Sequence, residues 1–176
     1  MENDITISYL NEDDRAYGLA GMAISLAALD ALDSITRISL DADGPMVTFA
    51  GHYYFAGSPS VSPKAVWDTL VRNFHITSSM VVGNIMARSL IRMGREVPDD
   101  ILARLHDEIA AEGADTCSLD ADETEALFRR TLSYARRIFA NPRIKPAVDE
   151  FARVISRRRD LTSAEIRDEL AMLNII

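Results

Sequence analysis

AYGLAGMAISLAALDAL, residues 16–32, decides how the rest of the sequence is read. A helix this near the start of a chain with a formal charge of -8 should show water a polar face, yet Ser25 and Asp30 are the side chains that interrupt the greasy run. Ala16, Ala20, Ala23, Ala27 and Ala31 step by four and three residues and share one row, with Leu19, Met22, Leu26 and Leu29 on a bulkier row beside it. A small-residue row lets another backbone come close, and a leucine row fills a core. Both faces want cover. The run is shorter than the roughly 20 residues a membrane span wants, and Asp30 and Asp33 break it, so no membrane is expected. The cover is then protein: either the rest of the chain, or a second subunit meeting Ala16, Ala20, Ala23 and Ala27.

Composition sets the frame around that helix. At 176 residues the chain fits a single domain, 1–176, with one core and a weak internal boundary near the SPSVSP stretch at 58–63. Hydrophobic residues at 48%, charged residues at 26% and a mean hydropathy of -0.01 argue against both disorder and membrane embedding. The acidic start MENDITISYLNEDD lacks the basic stretch and apolar core of a secretory leader, and Cys117 has no second cysteine to pair with, which together predict a cytoplasmic protein.

The period changes after the first helix. ITRISLDADGPMVTFAGHYYFAG alternates, and Asp43-Gly44 predicts a two-residue type I′ turn inside a β-hairpin over about 35–56. That turn would set Leu40 opposite Val47 and Ile38 opposite Phe49, with Arg37, His52 and Tyr54 on the polar face. Because a lone hairpin is marginal, residues 4–10 are the candidate third strand, with a short helix as the alternative.

Beyond Ser62 the pattern is helical. A long helix through Met93 is expected to kink or break at HITSS, 75–79, and to end at Gly94. Further helices are predicted from Pro98 to Gly113, from the Asp120/Glu123 capping box to Phe139, from about Pro146 to Arg158, and from the Thr162/Glu165 capping box onward. The fold class is α+β, mostly helical, with about six helices.

Charge is uneven. Residues 96–125 hold eleven acids against Arg104, and residues 126–159 hold ten cations against Asp149 and Glu150. Two helices joined by a short connection pack antiparallel, so the acidic helix is expected to lie beside the basic one and to use much of that charge in ion pairs. Nucleic-acid binding is disfavoured: aromatics are sparse among the arginines, and the overall field repels phosphate.

Motifs for chemistry are few. No phosphate loop appears, His52, His75 and His106 fall in different elements, and DADGP is better read as a turn than as a calcium loop, so no metal and no cofactor is expected. His75 with Ser78 or Ser79 has the spacing for a hydroxyl–imidazole pair. Acids around Cys117 should raise its thiol pKa. His52, Tyr54 and Arg37 form the candidate ligand face of the hairpin. The expectation is a non-enzymatic, self-associating interaction protein, a homodimer, with a small-molecule binder or enzyme on the hairpin face as the alternative.

Overall fold

The computed structural model describes residues 5–51 and 63–176, with 63–66 described by backbone alone. The apolar stretch lies in a helix, α1 (Glu12–Ala28), as far as Ala28; Leu29 caps it and Asp30 turns left-handed at φ 53, so Ala31 and Leu32 fall beyond the helix expected to hold them. The helix begins with Asn11 as its cap: the Asn11 side chain accepts from the Asp14 amide at 2.9 Å. Against α1 lies α2 (Pro63–Met86). Their backbones come closest where neither carries a side chain. A Cβ on Gly21 would sit 2.3 Å from the Gly83 carbonyl oxygen, and one on Gly83 would sit 1.9 Å from Ser25 Oγ.

The row that admits a neighbouring backbone is therefore Gly18, Gly21 and Ser25. The alanine row lies roughly on the opposite side of the helical wheel. Ala16, Ala20 and Ala23 are 0% exposed and Ala27 is partly buried, all within one chain, so the first three have no surface left for a second subunit. α1 is tied sideways as well. Tyr17 Oη donates to Asp149 Oδ1 at 2.8 Å, on a helix described below, and burial together with that carboxylate pushes the phenol up to about 12.

The hairpin exists, but with a different register. Strands β1 (Ile35–Ser39) and β2 (Val47–Phe49) pair antiparallel, with Ile35 opposite Phe49, Arg37 opposite Thr48 and Ile38 opposite Val47. The connection is longer than two residues, and Asp43 and Gly44 do not take the positive φ of a type I′ turn. Ile38 has slipped by two positions relative to Phe49. A slip of two keeps side chains on their own faces, so alternation cannot distinguish the two registers around Ile38, while nearer Ile35 the ladder shifts irregularly between Ile35 and Arg37. What decides is the far end of β1, where the Leu40 amide donates to the Arg159 carbonyl at 2.7 Å and draws the chain away from a tight turn.

The third strand comes from the other end of the chain. β3 (Asp160–Thr162) pairs with β1, Leu161 opposite Ile38, giving the order β2-β1-β3. Residues 5–10 form neither the strand nor the short helix expected of them.

α2 stays helical through 75–79 without the expected break. Thr77, Ser78 and Ser79 donate their hydroxyls to the carbonyls four residues back, which accommodates them inside the helix. The disturbance comes later, as a widened π-helical segment, Ala87–Met93, capped by Gly94 at φ 67. α3 (Asp99–Cys117) passes through Gly113 and ends at Ser118 in the left-handed region. Gly113 serves packing instead: a Cβ there would be 3.0 Å from the Phe74 ring. α4 (Ala121–Phe139), α5 (Ile144–Arg158) and α6 (Ser163–Met172) complete the order, and both expected capping boxes form, at Asp120/Glu123 and Thr162/Glu165. One cluster of buried apolar residues runs from Ile5 to Leu170. The fold is thus a mostly helical α+β arrangement with a small antiparallel sheet.

α3 does lie beside α4, but the ion pairs expected between them largely fail to appear. His106 Nε2 meets Glu125 Oε2 at 3.0 Å; several of the other cations pair elsewhere, Arg129 with Glu125 on its own helix, Arg158 with Glu165 and Glu169, and Arg159 with Glu12 and Asp41.

Candidate functional site

Asp14 stands in the first turn of α1 and Arg88 in the widened end of α2, and both side chains are 0% exposed. A buried charge costs heavily unless it is paired and its remaining hydrogen-bonding sites are filled. Here they are. Arg88 Nε donates to Asp14 Oδ1 at 2.9 Å and Nη2 to Oδ2 at 2.5 Å; Nη2 and Nη1 also donate to the carbonyls of Ser8 and Ile7 at 2.9 and 3.2 Å. Asp14 accepts as well from the Leu10 amide at 2.9 Å, and Arg92 adds a contact at 3.5 Å while pairing with Asp13. Burial alone would raise the Asp14 carboxyl, but the Arg88 and Leu10 hydrogen bonds and the charges of Arg88 and Arg92 overcome it and hold the group below its ordinary value.

This clamp explains why residues 5–10 are not a strand. Two of their carbonyls and one amide are satisfied by side chains of the clamp, which leaves the segment as a strap laid over α1 and α2. Tyr9 is fixed on the strap by three contacts: the Arg88 guanidinium 4.8 Å from its ring centroid, that of Arg15 at 5.9 Å, and Asn84 Nδ2 donating to its hydroxyl at 2.7 Å. Gly18 makes room, since a Cβ there would lie 2.7 Å from Asn84 Nδ2 and 2.8 Å from the Tyr9 ring.

Beside the strap opens a cleft of about 230 Å³. Its walls are Ile7, Met22, Val81, Ile85 and Leu105, and its polar floor is the Tyr9–Asn84 pair. Asn84 is 9% exposed and Val81, at the rim, 37%. Because Tyr9 Oη already accepts from Asn84, its own proton is left to meet an acceptor. The arrangement suits a small apolar molecule with one hydrogen-bonding group.

The residues singled out in the sequence do not converge here. Arg37 is held by Asp160 through both Nε and Nη2, and His52 and Tyr54 lie outside the described residues. Ser78 and Ser79 turn their hydroxyls to backbone carbonyls, so neither holds the His75 ring, whose pKa is lowered by burial and then by Arg130. Burial, seconded by Glu112, raises the Cys117 thiol. Among the described residues no three His, Cys, Asp or Glu side chains gather as a metal site requires, and no helix is long and apolar enough to cross a membrane.

The clamp was missed, although a signal for it exists. Arg88 is the lone charge in MVVGNIMARSLI, a run too apolar to face water, and an arginine in such a run must find a buried acid. No protein family, curated protein or solved structure compared with the chain matches it.

Proposed function

We propose that the protein is a non-enzymatic, cytoplasmic recognition protein whose ligand enters the cleft between the strap, α1, α2 and α3. The observation that carries this reading is the cleft's construction: apolar walls on helices, one phenol–amide pair at the floor, and a strap fixed by a buried ion pair. A site on rigid elements loses little entropy when it fills. Its two polar groups suit orientation rather than proton transfer, and the nearby Asp14 and Arg88 are engaged with each other. The ligand class is a small neutral molecule, largely aromatic or aliphatic, that offers one hydrogen-bond acceptor to Tyr9.

Phenol and acetophenone are suitable probes, read by methyl NMR of the full chain. The reading expects saturable shifts confined to Ile7, Met22, Val81, Ile85 and Leu105, and binding weakened several-fold by Tyr9→Phe. Scattered, unsaturable shifts with either probe would reject it.

Self-association is the second reading. The alanine row does not support it, but Trp67 and Val81, 43% and 37% exposed, lie fourteen residues apart on nearly one stripe of α2, the second of them at the mouth of the cleft. A partner side chain entering there would make the dimer and occupy the cleft at once. Sedimentation at micromolar concentration checks this: a dimer lost in Val81→Lys supports it, and a monomer ends it.

A further inference from the structure

The basic segment is the most uneven part of the charge pattern, and the cleft makes no use of it. On α4 the acids Asp122, Glu123 and Glu125 are confined to the first turns, so Arg137 lies twelve residues beyond Glu125, roughly 18 Å along the helix. Arg137 is exposed and, among the described residues, has no carboxylate partner, unlike Arg129, Lys145, Arg153, Arg158 and Arg159.

It borders a second cavity, of about 280 Å³, where α4 turns into α5 and the C-terminal residues fold back across the corner. The floor is aliphatic: Ile24 from α1, Ile138, Ile144 and Ile175. The rim carries Arg137, Asn141 and Asn174. Asn141 Oδ1 accepts from the Arg143 amide at 3.0 Å, which turns the oxygen inward to the chain and leaves the amide nitrogen as a donor. Tyr134 donates its hydroxyl to the Ala28 carbonyl at 2.8 Å and so offers acceptor capacity only.

We propose that this corner binds a carboxylate carrying a short apolar tail, the carboxylate on Arg137 with Asn141 as second donor and the tail on the isoleucine floor. One guanidinium presents two parallel N–H donors, which match the two oxygens of a carboxylate, and the site supplies a single uncompensated cation rather than the cluster that a phosphate group calls for. The aliphatic floor selects for the tail. The site stands apart from the cleft on the Tyr9–Asn84 pair, and either can fail without the other.

The probe is octanoate, titrated into the full chain and followed on the methyls of Ile24, Ile138, Ile144 and Ile175, with octanol and acetate as the uncharged and tailless controls. The proposal expects saturable octanoate shifts at these methyls, at least tenfold weaker binding of both controls, and a comparable loss in Arg137→Gln; Arg137 is exposed, and the variant's unchanged thermal midpoint shows that it is folded. Octanol binding as well as octanoate, or octanoate binding unchanged in Arg137→Gln, overturns it. So does the absence of saturation at these methyls up to millimolar octanoate.

Discussion

Arg88 and Arg159 each join stretches of chain that are far apart in sequence. Arg88 grips Asp14 and two strap carbonyls with no exposure to water; Arg159, 39% exposed, grips Asp41 and Glu12 and ties the end of β1 to the start of α1. The geometry is similar, with two or more nitrogens of each guanidinium on carboxylate oxygens. The surroundings are not. Around Arg159 water and salt screen the attraction and can replace it, so the loss of one partner leaves nothing stranded. Around Arg88 nothing can replace the carboxylate, and removing one partner leaves a bare charge in the core. Burial, rather than the number of hydrogen bonds, sets how much each arginine matters.

The largest expected effect follows at once. Arg88→Met strands the Asp14 carboxylate and should lower the unfolding free energy by about 3–5 kcal/mol, read by urea denaturation, with accelerated amide exchange across residues 5–10. A loss below about 1 kcal/mol would put Arg88 in the same class as a surface arginine. Gly83→Ala should cost less, about 1–3 kcal/mol, by forcing α1 and α2 apart where its Cβ would meet Ser25 Oγ. Because Arg88 follows on the same helix, that variant should also loosen the strap. Unchanged exchange there would show that the clamp does not depend on the close crossing.

Acid sharpens the comparison further. The folded Asp14 carboxyl titrates below its ordinary 3.8, so the pairing contributes fully above that value and is lost as pH falls through the lowered one. Thermal midpoints should therefore drop steeply below about pH 4 and less steeply in Asp14→Asn. Equal slopes would assign the acid limb to other carboxylates. The smallest effect belongs to Arg159→Ala: a slight fall in the thermal midpoint at low ionic strength that fades in 0.5 M salt. A large, salt-independent fall would erase the distinction between the two arginines.

Much of the fold was legible, for reasons that differ between elements. The greasy 16–32 stretch announced a helix needing cover on two sides, and both capping boxes marked helix starts because their chemistry is local. The strip for close approach was misassigned to the alanines. Glycine carries no hydrophobic signal, and the decisive partner, Gly83, sits sixty-two residues from Gly21. Register was hidden because slips of two preserve alternation, and β3 because three residues between two helices carry too little pattern. The alternation of residues 4–10 suggests a strand or a short helix and gives no sign of a strap, because the side chain that takes its carbonyls lies eighty residues downstream. The site was less legible than the fold. Tyr9, Asn84 and Leu105 come from three separate segments, and no local motif joins them.

The account rests on Asp14 and Arg88 acting as one unit that fixes the strap and shapes the cleft. A double-mutant cycle with Asp14→Leu, Arg88→Met and the double variant, measured by urea unfolding at neutral pH, tests this directly. The prediction is a coupling of about 2 kcal/mol or more, with the double variant more stable than either single one. Losses that add to within about 0.5 kcal/mol would contradict it.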